Sequence, residues 1–292
     1  MAKEPPPAKD VMITSSLLRD KAYSDNSKLD KRKALYQFTY PYYSIEDEIL
    51  NLQPLSDGQC LLDVGCGTGK LILKANSVNP NGHHIGIDIS DGVFGNAKDR
   101  SEKEGLNVEF QIGDAQNLSF PDKSFDRLSS MHMLYHVPNI DKAFGEFSRV
   151  IKDDGLVLIT ANSKESRKQL GFLKAQAGKI MGRAVFTDPN LRFNLENGPE
   201  MAAKHFTNVA LLPFESTLNL TEPQPYIDYF DSLRGFWQPT PTDEQWGHVM
   251  ESTRAYVEME IANKGAFTDK TGFGIIVASH SPIPPQILER AA

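Results

Sequence analysis

Three glycines in five positions, Gly65, Gly67 and Gly69, follow directly on the apolar run CLLDV. A short apolar run, then bare backbone, then the helical spacing of Lys70 to Val78 reads as a strand–loop–helix unit. The unit recurs. HHIGIDI reads as strand and Val93 to Glu104 as helix. VEFQIGD and SFDRLSSMHM read as strands, Asn139 to Ile151 as helix, and LVLITAN as strand. Repeated strand–helix–strand units with right-handed crossovers predict an α/β fold with a doubly wound parallel sheet covered on both faces.

After Ala161 the rhythm changes. Residues 164–182 and Met201 to Phe206 have helical spacing, and NVALLPFES and GFGIIVASH read as two late strands. Between those strands lie proline-rich stretches and a long helix from Thr242 to Asn263. Thr242 with Gln245 fits a capping box at its start. Upstream, Ser15 to Tyr36 has helical spacing, Pro41 interrupts it, and SIEDEILNLQPL resumes it. The expected organisation is a disordered tail (1–14), an N-terminal helical lid (15–52), a cofactor-binding core (53–162), the remainder of the sheet with helical cap insertions (163–280), and a peripheral tail (281–292).

The chain has 292 residues and a net charge of −7, which gives no general attraction to phosphate backbones or anionic lipid. Nucleic acid is disfavoured as a partner. No stretch approaches the roughly 18 apolar residues of a membrane span. The opening MAKEPPPAKD lacks the apolar segment of a secretory signal. Cys60 and Cys66 are too few for a disulfide framework, so both are expected as reduced thiols of a cytoplasmic protein.

In an open α/β sheet, ligands bind beyond the carboxyl ends of the strands. Glycine lets the backbone approach a ligand, and the following helix offers free N–H groups to an anionic group. Asp88 ends the second strand, 19 residues after Gly69, where a carboxylate can accept from ribose hydroxyls. Asp114 ends the third, within reach of an adenine amino group. A dinucleotide fingerprint would need its third glycine where Lys70 stands, and a P-loop would need a hydroxyl where Leu71 stands. S-adenosylmethionine fits better. Its ammonium can engage Asp63, directly or through water, whereas a pyrophosphate would be repelled.

LLDVGCGTGK, GIDIS, GDAQNLSFPDKSFD and EFSRVIKDDGLVLIT, in this order and spacing, resemble the class I S-adenosylmethionine-dependent methyltransferases. The nearest style is that of the ubiquinone/menaquinone C-methyltransferases and related small-molecule enzymes. The resemblance covers about residues 55–162. It implies a Rossmann-like seven-stranded sheet with a terminal antiparallel hairpin, of which GFGIIVASH is one arm. By position, it implies that Gly65, Cys66 and Gly67 line the methionine end, Asp88 holds the ribose and Ile89 packs on adenine. Asp114 and Ala115 would contact the adenine edge, with Met131 close by. The chain departs from common patterns at Val93–Phe94, where many relatives carry Met-Leu, and at KDDGL, which replaces a Lys-Pro-Gly-Gly turn.

His132 and His136 in SMHMLYHV would share a face on a helix, but a metal site would need a third ligand and none is evident. His136 is the candidate general base, against a structural histidine. His83 and His84 are expected at the surface. Tyr23, Tyr36 and Tyr43 are candidates for an aromatic lid, against plain packing. Phe230, Phe236 and Trp237 are candidates for the acceptor pocket, against packing of a helical cap.

Methyl transfer from a cationic sulfur needs chiefly positioning. The leading expectation is therefore methylation of a carbon, oxygen or nitrogen of a small molecule, in specialised-metabolite biosynthesis, by a monomer or homo-oligomer. RNA or protein methylation is the alternative, although SSMHMLY lacks the acid-Pro-Pro-aromatic loop of the amino-methylating enzymes of nucleic acid. A non-catalytic cofactor-binding partner protein is the second alternative.

Overall fold

The computed structural model describes residues 31–32, 34–52, 54–90, 92–182, 185–186 and 188–291. Tyr23 and the expected tail at 1–14 lie outside the described residues. In chain order the strands are β1 (Thr39–Tyr40), β2 (Leu61–Val64), β3 (His84–Asp88), β4 (Val108–Ile112), β5 (Phe125–Met131), β6 (Ile151–Asn162), β7 (Val185–Phe186), β8 (Asn208–Leu220), β9 (Trp237–Gln238) and β10 (Phe267–Ser279). The helices are α1 (Ile45–Leu52), α2 (Lys70–Val78), α3 (Gly95–Glu104), α4 (Ile140–Val150), α5 (Lys168–Met181), α6 (Gly198–Ala202), α7 (Gln224–Asp231), α8 (Asp243–Lys264) and α9 (Pro285–Ala291). Among the described residues no helix is long and apolar enough to cross a membrane.

The main sheet has the order β1-β8-β10-β6-β5-β2-β3-β4. From β6 to β4 all pairings are parallel, and β10, β8 and β1 join antiparallel. The chain leaves β2 for β3 on one side, and β5 takes its place on the other. That switch opens a crevice at the carboxyl ends of β2 and β5. All four residues of β2 are buried, which is why it shows no apolar–polar alternation; Leu61, Leu62 and Val64 are apolar and Asp63 is the buried exception. On one face α4 turns Ile140, Ala143, Phe144, Phe147 and Val150 inward, a helical stripe against Val157 and Ile159. Asn139 caps it by accepting from the Lys142 N–H at 2.9 Å. The other face carries Leu71, Ile72 and Ala75 of α2 with Ile49 and Leu50 of α1.

The seven expected strands are present, and an eighth joins them. β1 falls inside the segment expected to be a helical lid, where Thr39↔Leu218 and Tyr40↔Thr217 pair at the sheet edge. The two arms of the terminal antiparallel pair, β8 and β10, are separated by α7, β9 and α8 rather than by a tight turn. β8 runs to Leu220, four residues beyond the end of the expected strand NVALLPFES. Residues 281–292 are not merely peripheral, because Ile283 and Ile287 are buried in the second core cluster. His84, expected at the surface, is fully buried with its Nε2 bonded to the Asn79 carbonyl oxygen at 2.9 Å.

The two insertions meet over the sheet end. β7 pairs with β9 through Val185↔Gln238 and Phe186↔Trp237. Leu170, Leu173, Phe230, Trp237, Trp246 and Val257 share a third apolar cluster. Trp246 donates from Nε1 to Asp231 at 2.9 Å, and the Tyr256 hydroxyl donates to Gln169 at 2.8 Å. The capping box of α8 is formed, with the Thr242 side chain accepting from the Gln245 N–H at 3.2 Å and Gln245 reaching back at 3.1 Å.

Candidate active site

The glycine loop bends because its glycines take left-handed backbone, with φ of 75° at Gly65, 53° at Gly67 and 71° at Gly69. The three have different surroundings. A Cβ on Gly65 would strike the Met133 side chain, and one on Gly69 would meet the Phe110 ring at 2.5 Å. A Cβ on Gly67 would meet nothing closer than Val93 at 4.0 Å. Gly65 and Gly69 let elements close-pack, while Gly67 faces open space.

That space is a cavity of about 630 Å³ at the carboxyl ends of β2, β3 and β5, roofed by the insertions. At one end Asp88 holds the loop. Its Oδ2 accepts the Gly67 N–H at 3.0 Å, and its Oδ1 accepts the Ser90 N–H at 3.0 Å. Burial raises its carboxyl above the usual range, and the backbone donors oppose the shift. Beside it Ile89 is 47% exposed, an uncovered apolar side chain facing the cavity.

Asp63 sits behind the loop and does not line the cavity. It is fully buried, and its Oδ1 accepts from the Ser129 hydroxyl at 2.7 Å. Its Oδ2 has no hydrogen-bond partner among the described residues. Burial pushes its pKa to about 7, against the Ser129 bond and with help from the nearby charges of Asp88 and Glu46. An orphaned buried carboxylate oxygen beneath an open glycine loop is compatible with a cationic group arriving above it, through a water. Buried Cys66 lines the wall, and burial pushes its thiol up, which makes it inert.

Of the other expected residues, Met131, His136, Tyr36, Tyr43 and Phe236 line the cavity. Asp114 and Ala115 do not, and the Asp114 carboxylate already accepts from the Gln116 backbone N–H at 2.9 Å and its side-chain amide at 3.0 Å. Phe230 and Trp237 do not line it either. Phe230 is buried against Trp246, and Trp237 is buried edge-on against Phe186, which itself lines the cavity. Burial, with Arg32 and Arg192 nearby, drops the His136 pKa to about 3. Its imidazole is neutral near pH 7 but holds a proton so weakly that it makes a poor general base.

Several cavity residues had no expected role. His132 follows the last residue of β5 with φ of 47°, its N–H bonded to Thr160, and burial drops its pKa to about 4. His132 and His136 thus share the cavity although they occupy no common helix. Glu46 of α1 pairs with Lys70 at 3.0 Å at the cavity margin. Arg167, Lys174 and Tyr229 come from the insertions. No local pattern marks them, because the cavity exists only once the insertions fold over the sheet.

Comparison with known proteins gives one consistent kin group. A family model described as a methyltransferase domain matches residues 55–231. A demethylmenaquinone methyltransferase of Symbiobacterium thermophilum is 34% identical over 118 residues, which is 39% of this chain and 47% of the relative. A sterol 24-C-methyltransferase of Pneumocystis carinii is 35% identical over 104 residues, 35% of this chain and 27% of the relative. The chain thus spans less than half the length of these curated relatives. Among solved structures, the Haemonchus contortus phosphoethanolamine N-methyltransferase 2 in complex with S-adenosyl-L-methionine superposes with a TM-score of 0.56 at 18% identity. That match covers 91% of this chain and 60% of the other, and it supports the fold.

Proposed function

Because this chain belongs to the methyltransferase-domain family, whose model matches residues 55–231, we propose that it transfers a methyl group from S-adenosylmethionine to a small molecule enclosed in the cavity. The observation that carries the reading is the junction of Gly67 and Asp88. A bare Cα opens onto the cavity while its own N–H anchors a carboxylate at 3.0 Å, beside the uncovered Ile89. Asp88 would take the ribose hydroxyls, Ile89 the adenine face, and Gly67 with Cys66 the amino-acid end. Asp63 would balance the ammonium from below. Asp114 and Ala115 would take part only at the adenine edge, after Gln116 gives way.

The cofactor supplies a methyl group on a cationic sulfur, open to displacement by an acceptor atom. The chain has to hold that acceptor in line and exclude water, and positioning of this kind is worth about 7–11 kcal/mol. Tyr36, Tyr43, Phe236 and Leu233 furnish apolar wall for it. His136, neutral and buried, would shape the pocket rather than remove a proton. A carbon, oxygen or nitrogen acceptor in specialised metabolism suits an enclosed, partly apolar cavity better than a polymer does.

Calorimetry with S-adenosylhomocysteine tests the reading. Saturable one-to-one binding is expected, weakened about 10- to 100-fold by Asp88→Ala, the loss of charge-assisted hydrogen bonds. Absence of binding in the intact chain would overturn the proposal. A methyl-transfer assay separates an enzyme from a partner protein that only binds the cofactor.

A further inference from the structure

Resting on the methyltransferase reading, we propose that the acceptor is an apolar molecule carrying an anionic oxygen group, carboxylate or phosphate, and that Arg167 binds that group inside the cavity. Arg167 stands immediately before α5, on the insertion side of the cavity and on a different element from the Gly67–Asp88 junction. Its guanidinium lies between two tyrosine rings, 5.0 Å from the centroid of Tyr36 and 5.7 Å from that of Tyr229. The rings fix its plane without neutralising it. Nη1 donates to the Tyr229 hydroxyl at 2.6 Å, which holds the guanidinium beside a ring that lines the cavity.

The cations that line the cavity differ in their ionic surroundings. Lys174 in the same cavity is paired with Asp188 at 2.9 Å, and Lys70 with Glu46 at 3.0 Å. Among the described residues Arg167 has no carboxylate within 4 Å. The acid nearest in influence, Asp269, spends its oxygens on the N–H groups of Gln169 and Leu170, each at 3.2 Å. A half-buried guanidinium with donors to spare is costly to leave unsatisfied, so an anion arriving there gains more than it would at the surface.

Backbone conformation supports the same conclusion. Arg167 has φ of 59°, a left-handed conformation that a long side chain rarely adopts and that clusters at ligand sites. Its own N–H, bonded to the Lys270 carbonyl oxygen at 2.7 Å, holds it there. The same cavity has apolar wall from Leu170, Leu233, Phe186 and Phe236. The cavity therefore joins apolar wall to cations from the insertions, of which Arg167 is half-buried between aromatic rings. A planar fork between aromatic faces matches a carboxylate or phosphate bidentately.

The test uses binding, so it does not depend on knowing the natural acceptor. The full chain saturated with S-adenosylhomocysteine is titrated with 2-naphthoate, 2-naphthyl phosphate and the neutral methyl 2-naphthoate. At least one anion is expected to bind about tenfold or more tighter than the ester, and the tighter of the two identifies carboxylate or phosphate. Arg167→Met should abolish that preference with ester and S-adenosylhomocysteine affinities unchanged, and Arg167→Lys should restore part of it. Tyr229→Phe, which only frees the fork to rotate, should reduce the preference severalfold. An ester that binds as well as the anions, or a preference that survives Arg167→Met, overturns the proposal. The titrations are repeated without S-adenosylhomocysteine. Failure of the cofactor to bind would then count against the methyltransferase reading, while the anion preference is judged separately.

Discussion

Asp63 is fully buried behind the glycine loop, with one carboxylate oxygen left without a partner among the described residues. Its folded pKa of about 7 stands above the ordinary 3.8. Between those values the folded state holds a proton that the unfolded chain has lost, so stability falls as pH rises across the window and levels off above it. Asp63→Asn keeps an acceptor for the Ser129 hydroxyl and removes the titration. Relative to the parent, the melting temperature of the variant should climb steadily from pH 4 to pH 7.5. S-adenosylhomocysteine affinity should fall about tenfold if the carboxylate faces the ammonium. A melting difference independent of pH would mean that Asp63 does not carry the proton. His136 has the opposite sign. Its folded pKa of about 3 lies below the ordinary 6.5, so the unfolded chain binds the extra proton between them and acid destabilises the fold. His136→Gln should unfold less readily than the parent at pH 5 and should leave the shape of the pH–rate profile as it was. At this scale the places of Gly67 and Asp88 at strand ends were legible from periodicity, and that of Ile89 from the family resemblance; all three line the cavity. Phe230 and Trp237 stayed open between pocket and packing, because an aromatic side chain on a cap has the same pattern whether it faces a ligand or a neighbouring helix. Arg167 was silent, since its partner Tyr229 lies 62 residues away.

Elements show how one motif divides its labour. The glycine loop has to turn, pack and open at once, and each glycine serves a different one of these needs. Gly69→Ala would drive a methyl into Phe110 and Ala97, and is expected to cost about 1–3 kcal/mol of stability in denaturant unfolding. Gly67→Val adds its bulk to open cavity instead. It should keep most of the fold and lose S-adenosylhomocysteine binding in calorimetry. Both positions have positive φ, so either replacement strains the backbone and binding is the deciding readout: S-adenosylhomocysteine affinity retained in Gly67→Val would mean that Gly67 does not face the cofactor. Far from the site, Thr242→Ala removes the reciprocal cap of α8 and should destabilise by about 1 kcal/mol with cofactor affinity unchanged. The long strands and α8 were readable because burial and capping leave local patterns. The two-residue strands β1, β7 and β9 were not, because their pairing partners exist only in the folded chain. The extension of β6 back through KDDG looked like a turn because its charged residues face solvent.

For the whole molecule, the question is what closes the cavity. The sheet supplies a floor and the two insertions a roof, tied together by β7 with β9 and by the third apolar cluster. Residues 31–40 supply a wall: Arg32, Tyr36 and Thr39 line the cavity, and Arg32 lies 5.5 Å from the Phe236 ring centroid. Their debt to the sheet is small, with two residue pairs in β1 and the buried side chains of Leu35 and Thr39. Deleting residues 1–40 should therefore cost about 2–5 kcal/mol, the scale of losing one large buried side chain, and leave a cooperative transition. The binding effect should be lopsided. Asp88, Ile89 and the glycine loop remain, so S-adenosylhomocysteine affinity should stay within about threefold. The Arg167 end loses the Tyr36 ring that braces it, so 2-naphthoate should weaken about tenfold or more. Equal weakening of both ligands would mean that the truncation has loosened the sheet itself. Retention of both affinities would mean that residues 31–40 touch the cavity without closing it, leaving the insertions alone to exclude water from the reaction.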